Sequence, residues 1–146
     1  MAIRESLLGA WRLVAWKVSY NGVYADPSWG AVEEHDGLLL YHPSGFVSAT
    51  LSRRNRQCFA TDLLDGGTDA EKCRAFDNFL SYCGKFEVDE QSAIVHHHVI
   101  LCSFPNYVGK NLIRSCTLNG DTLDLRFGDV EFQNQAVGGY IKWARA

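Results

Sequence analysis

Apolar and polar residues alternate along most of this chain, the pattern of strands with one face toward an interior and one toward solvent. The clearest case is Thr122 to Phe127, where apolar residues recur at every second position. By alternation, or by β-branched and aromatic content, eight segments are predicted to be strands: Trp11 to Tyr20, Leu38 to His42, Phe46 to Ser52, Tyr82 to Val88, Ala93 to Ser103, Asn111 to Leu118, Thr122 to Phe127 and Val137 to Arg145. Tight-turn sequences such as Pro43-Ser44-Gly45 join several of them. The predicted fold is therefore all-β, an eight-stranded antiparallel up-and-down barrel.

One short helix is predicted between the third and fourth strands. Thr68 and Glu71 have the spacing of a capping box, in which the side chains of both residues satisfy backbone N–H groups at the helix start. Cys73, Phe76 and Leu80 follow at helical spacing, so the helix is expected to run to about Leu80. The stretch from Asp129 to Gln135 is compatible with either loop or strand.

Strand alternation also predicts which side chains point into the barrel. The sets expected to face inward are Leu123, Leu125 and Phe127 in one strand, and Tyr82, Phe86 and Val88 in another. In the strand with three consecutive histidines, His97 shares the more apolar face with Val95, Val99 and Leu101, so it is expected inward. Arg114 falls among inward apolar neighbours, where an unpaired charge is costly.

Composition restricts the classes of partner. The 146 residues suit a single domain, residues 1–146, with 47% hydrophobic and 21% charged residues. The net charge is -3 and no basic stripe is present, which argues against nucleic acid as a partner. The apolar runs are too short to span a membrane, and the N-terminus lacks an apolar stretch of signal-peptide length, so the expected location is cytoplasmic. The sequence is compatible with a homodimer as well as with a monomer.

Metal and thiol chemistry have little support in the chain. His96 and His98 lie two residues apart on one strand face, but no motif supplies the third ligand that a zinc site needs. The five cysteines form an odd set without a CxxC motif and are expected to be mostly reduced. No metal and no cofactor is therefore predicted.

Residues near the two ends of the sequence predict that the first and last strands meet. Gly9-Ala10-Trp11 stands at the start of the first strand and Trp143-Ala144-Arg145 at the end of the last. Trp11 and Arg145 can meet only if the sheet curls round on itself, in which case the guanidinium stacks on a ring that plugs one end of the barrel. A plugged barrel of this size is a cup for one small molecule.

These ends and several internal blocks resemble the lipocalin-like branch of the calycin superfamily, in particular its small bacterial and fungal lipocalin-like domain proteins. The blocks are Leu40-Tyr41-His42-Pro43-Ser44-Gly45, Tyr82-Cys83-Gly84-Lys85-Phe86-Glu87-Val88-Asp89, His97-His98-Val99, and Phe104-Pro105-Asn106-Tyr107-Val108-Gly109 before Arg114. The resemblance covers nearly the whole chain and implies a barrel that binds a small ligand. Relatives often carry tryptophan after the Pro-Asn pair, where this chain has Tyr107. Because such relatives include both carriers and enzymes, the resemblance implies no particular reaction.

Three polar residues predicted inside the cup suggest acid/base chemistry. Imidazole suits proton transfer near neutral pH, a guanidinium stabilises an enolate or phenolate, and a tyrosine hydroxyl orients a ketone. The candidate catalytic residues are His97, Arg114 and Tyr82. The candidate ligand-binding residues are Tyr41, Phe86, Val99, Tyr107, Leu125 and Trp29.

Two functions of different class follow from these residues. One is a cofactor-independent isomerase or cyclase that binds a small hydrophobic substrate in secondary metabolism. The alternative is a binding or carrier protein for a small hydrophobic molecule, in which inward polar groups fix the orientation of the ligand. The interior residues have ordinary structural interpretations as well, because a lone interior histidine is more often a hydrogen-bonded core residue than a catalyst.

Overall fold

A closed antiparallel sheet forms the body of the protein. The computed structural model describes residues 2–146, apart from the side chains of residues 129–132. Over this range the strands are β1 (Gly9–Tyr20), β2 (Val23–Ala25), β3 (His35–Tyr41), β4 (Phe46–Arg53), β5 (Phe79–Asp89), β6 (Ile94–Cys102), β7 (Asn111–Asn119), β8 (Thr122–Phe132) and β9 (Gln135–Arg145). The helices are α1 (Ile3–Leu7) and α2 (Asp69–Asp77), and short 3-10 turns cover Val32–Glu34 and Pro105–Tyr107.

Barrel closure comes from the first strand. β1 pairs with β3 on one edge and with β9 on the other, and every remaining neighbour in the order β3 to β9 is paired as well. The three-residue β2 only extends the ladder beside the end of β1. The predicted eight-stranded antiparallel barrel, with a helix between its third and fourth strands, is confirmed.

A bulge in the β5–β6 ladder changes which residues face inward. The β5–β6 register shifts between Cys83 and Gly84, so Leu101 lies opposite Cys83 and Val99 lies opposite Gly84. Ile100 is therefore the extra residue, and alternation reverses after it. Leu101 is 65% exposed, and its predicted inward orientation is wrong for this reason.

The predicted helix ends earlier than expected. The capping box is present, since the Thr68 side chain accepts from the Glu71 backbone N–H and the Glu71 carboxylate accepts from the Thr68 backbone N–H. However, Asn78 leaves the helical conformation with ψ near 10°, and Leu80 lies in β5, paired with Leu51. Leu80 faces the barrel interior, and this position in the strand explains why the residue is apolar. Its helical spacing from Phe76 is a coincidence.

One end of the barrel is filled by side chains. Trp11 has no exposed surface, and its Nε1 donates to the Leu7 carbonyl over 2.8 Å. The Arg145 guanidinium stacks on the Trp11 ring and donates to the carbonyls of Ser6 and Leu8. α1, which the sequence pattern did not predict, thus covers the barrel end where β1 begins and β9 ends, and leaves the opposite end for a cavity.

Candidate ligand-binding cavity

A cavity of about 950 Å³ occupies the barrel interior above the packed end. It extends from the level of Leu39 and Trp143 to the far ends of β1 and β9, at Tyr20 and Val137. This volume is at the upper end of the range in which proteins enclose one drug-sized ligand.

The wall of the cavity is mostly apolar. Its apolar and aromatic members are Trp16, Val18, Tyr20, Leu39, Ala49, Leu51, Leu80, Leu112, Ile113, Leu125, Phe127, Val137, Ile141 and Trp143. The polar members are Tyr82, His97, Tyr107, Asn111, Arg114, Ser115 and Arg126. In ligand cavities of this kind, burial of apolar surface supplies most of the affinity, and the polar groups set the orientation of the ligand.

His97 is the most buried polar residue of this wall. β6 carries it inward, and only 1% of its surface is exposed. Its Nδ1 lies 2.8 Å from the Tyr82 hydroxyl and its Nε2 lies 2.7 Å from the Tyr41 hydroxyl. Burial, with the positive charge of Arg114 as a second cause, lowers the pKa of His97 to about 3. The imidazole is therefore neutral at physiological pH, with a tyrosine on each nitrogen.

The two tyrosines keep their protons. Burial raises the pKa of Tyr82 to about 12 and raises the pKa of Tyr41 well above its usual value, and Arg114 opposes both shifts. Tyr41 is 2% exposed, whereas Tyr82 is partly exposed on the cavity wall. The result is an uncharged hydrogen-bonded chain that begins in the packed interior at Tyr41 and reaches the cavity at Tyr82.

Arg114 supplies a positive charge beside this chain. It lies on β7 among the cavity residues, half-buried, with its Nη1 donating to the Ile113 carbonyl over 3.1 Å. Its guanidinium carbon is 5.3 Å from the centroid of the Phe127 ring. No ion pair of the described residues includes Arg114. Among the residues whose side chains the structure describes, its charge therefore faces the cavity with an aromatic ring, and no ion-paired carboxylate, as neighbour.

The predicted ligand-binding residues separate into two groups. Tyr107 and Leu125 line the cavity, whereas Tyr41, Phe86, Val99 and Trp29 do not belong to the described wall. Tyr41 and Phe86 face inward but below the cavity, with ring centroids 4.8 Å apart in the packed core. Val99 is buried, and Trp29 packs edge-on against Trp16. Alternation along one strand gives the face of a residue, but it does not say how high along the barrel the solid packing ends.

Several wall residues were absent from the predicted set. Leu39, Ala49 and Leu51 follow the alternation of their strands, so this signal was available. Trp16 was hidden by a bulge in β1, where the register shifts between Leu13 and Ala15. Counted from Trp11, alternation turns Trp16 outward, and the bulge turns it back toward the cavity.

The outer surface carries two further polar groupings. A concavity of about 470 Å³ is lined by four arginines among other polar residues, but Arg54 already pairs with Asp36 and Arg56 with the Ala75 carbonyl. The rings of His96 and His98 stack 6.1 Å apart on the outer face. Within the described chain, no group of three or more potential metal ligands is found. Likewise, the helices of residues 2–146 are too short or too polar to cross a bilayer.

Comparison with known proteins agrees with this geometry. The family model described as a lipocalin-like domain matches residues 8–146. A similar protein is the 4'-hydroxy-3'-methoxypropiophenone carrier protein ppsC of Aspergillus oryzae, 34% identical over 65 residues that cover 40% of this chain. The match spans 59% of the length of that relative.

Proposed function

Because the chain belongs to the lipocalin-like domain family, we propose that it binds one small, largely apolar molecule in the barrel and holds it without chemical change. The cavity of about 950 Å³ with its apolar wall is the observation that carries this proposal. The name of the Aspergillus oryzae relative, a carrier of an aromatic ketone, supports the same class of function. We therefore take an aryl alkyl ketone as the type of ligand to test.

The state of His97 favours binding over acid/base catalysis. A general base needs a free nitrogen within reach of substrate and a pKa near the working pH. The pKa of His97 is lowered to about 3, and tyrosine hydroxyls lie against both ring nitrogens. His97 is thus better suited to orienting Tyr82 than to removing a proton from a ligand.

A cofactor-free isomerase or cyclase of secondary metabolism is the second candidate. The observation in its favour is the hydrogen-bonded chain that reaches the cavity at Tyr82, with the Arg114 charge available to stabilise an enolate. In that case Tyr82 would exchange the proton with the substrate, and His97 would relay it.

Titration calorimetry with 4'-hydroxy-3'-methoxypropiophenone tests the binding proposal. The wild-type protein is expected to bind one equivalent. Leu112→Trp, which places an indole in the cavity beside His97, should abolish binding, because Leu112 lines the wall and pairs with His97 across the sheet. Leu40→Trp adds the same indole at a residue that is 41% exposed on β3 and should bind as the wild type does.

The fate of the ligand separates the two candidates. Mass spectrometry of the ketone recovered from the protein is expected to find it unchanged after long incubation. A product that forms with wild-type protein and not with Tyr82→Phe would instead favour the enzyme. Equal binding by Leu112→Trp and wild type would show that the ligand lies outside the barrel and would overturn the proposal.

A further inference from the structure

In the hydrogen-bonded group Tyr41–His97–Tyr82, the polar protons are fewer than the nitrogen and oxygen atoms that could carry them. The neutral imidazole carries one N–H, and each tyrosine carries one O–H. At one hydroxyl the ring nitrogen donates, and at the other the hydroxyl donates to the bare nitrogen. The tyrosine that accepts keeps an O–H that must find a different partner.

Burial decides between the two arrangements. If Nε2–H donated to Tyr41, the Tyr41 O–H would need a second acceptor, and within the described residues the only hydrogen bond of its hydroxyl is to His97. Tyr41 is 2% exposed, so that proton would be buried without a partner, which is unfavourable. If Tyr41 donates to Nε2 instead, Nδ1–H donates to Tyr82, and the Tyr82 O–H points to the cavity, where a ligand or water can accept it.

We infer that His97 is held as the Nδ1–H tautomer by Tyr41, and that Tyr82 therefore presents its O–H to the ligand as a hydrogen-bond donor. The ligand is then one that places a carbonyl oxygen against Tyr82. This inference rests on the proposed binding function and adds to it the group that recognises the ketone, a Tyr82 O–H that donates to its carbonyl oxygen. Tyr41 acts as a positioning residue, because it reaches the ligand only through His97.

Because Tyr82 donates its O–H and does not accept a proton from the ligand, the cavity is selective. A ligand with a methylene in place of the carbonyl would cover the Tyr82 O–H without accepting its proton, and an unmatched polar group of this kind discriminates strongly between otherwise similar ligands. The direction of the hydrogen bond thus converts a cavity with an apolar wall into one that prefers ketones.

Nitrogen NMR of protein labelled at histidine with nitrogen-15 tests the tautomer. In the wild type, the His97 Nδ1 is expected to show the shift of a protonated nitrogen and Nε2 that of a bare one. Tyr41→Phe removes the hydroxyl that separates the two tautomers in energy, so both shifts should move toward intermediate values. A protonated Nε2 in the wild-type protein would overturn the assignment without any use of ligand.

Paired ligands test the consequence for binding. The probes are 4'-hydroxy-3'-methoxypropiophenone and the otherwise identical phenol in which a methylene replaces the carbonyl. Wild type is expected to prefer the ketone about tenfold, the value of one hydrogen bond. Tyr82→Phe should bind both probes equally, and Tyr41→Phe should show a reduced preference.

The outcomes distinguish this inference from the function on which it rests. Equal binding of both probes by wild type, unchanged in Tyr82→Phe, would overturn the donor role of Tyr82 and leave the binding function intact. Failure of wild type to bind either probe would contradict the proposed binding of aryl ketones, and the nitrogen shifts would still decide the tautomer.

Discussion

The guanidinium carbon of Arg145 lies 3.8 Å from the centroid of the Trp11 ring, and the two residues are direct partners across the β1–β9 ladder. This contact joins the first and last strands of the barrel. The same guanidinium donates to the carbonyls of Ser6 and Leu8, so it also fastens α1 and the segment that follows it over the packed end. One side chain thus links the two strands whose pairing closes the barrel with the helix that covers its end.

Replacement of Arg145 should lower stability substantially. Arg145→Ala removes two charge-assisted hydrogen bonds and a stacked cation, and we expect the free energy of unfolding to fall by about 2–4 kcal/mol. Arg145→Lys should recover only part of this, because an ammonium lacks the planar fork. Urea denaturation measures the change. The matched control is Arg12→Ala on the neighbouring strand β1, where the residue is exposed; a similar loss in both variants would contradict the structural role of Arg145.

Protonation of His97 should destabilise the fold in mild acid. In the unfolded chain the imidazole binds a proton below its usual pKa of 6.5, whereas in the folded protein burial lowers that pKa to about 3. Between these values the unfolded state holds more protons, so stability is full above pH 6.5 and falls as the pH drops, by about 1.4 kcal/mol per pH unit. Denaturation series at several pH values should give this slope.

His97→Gln is the control for the acid prediction. Glutamine does not titrate, so the difference in slope between the two proteins isolates His97. Two carboxylates also make stability depend on pH, but at lower pH than His97 does. Hydrogen bonds with Thr68 lower the pKa of Glu71 below its usual 4.5, and those with Ser92 lower the pKa of Asp89 below its usual 3.8. Their contributions are lost only as the pH falls below those ordinary values, so measurements above about pH 5 avoid them. Parallel slopes in wild type and His97→Gln would show that His97 is not held neutral.

The charge of Arg114 should strengthen the binding of an anionic ligand and leave that of a neutral one nearly unchanged. Phenylbutyrate and phenylbutanol share an apolar body and differ in charge, so their affinities report on the charge separately from burial. Arg114→Met is expected to weaken binding of phenylbutyrate by about tenfold or more and to leave phenylbutanol nearly unchanged. Calorimetry or competition with a fluorescent ligand measures both.

Arg126 provides the comparison for Arg114. It also lines the cavity, but its guanidinium is 3.1 Å from the Asp124 carboxylate and stacks on the Tyr140 ring. Because its charge is already paired, Arg126→Met should affect phenylbutyrate less than Arg114→Met does. Equal effects would show that long-range charge, and not a contact with Arg114, attracts the anion.

Much of the barrel could be predicted from residue order alone. Alternation identified the inward faces of β5 and β8, including Tyr82 and Leu125, because side chains of a strand point to opposite faces at every step. The Thr68–Glu71 capping box located the start of α2, because that contact is local in the chain. The pairing of Trp11 with Arg145 predicted closure, since residues at opposite ends of the chain can meet only if the sheet is closed.

Other features depend on relations between strands and were decided only by the tertiary structure. The bulge at Ile100 turned Leu101 outward, and the β1 bulge turned Trp16 inward, because register is set by the partner strand. Leu80 matched a helical spacing but was recruited by pairing with Leu51. Tyr41 stands 56 residues from His97 in the chain, and nothing local indicates their hydrogen bond. The sequence by itself thus determined the inward face of the regular strand segments, because alternation is a local property of a strand. Packing of eight strands against one another decided where bulges reverse that face, which inward side chains fill the interior and which surround the cavity.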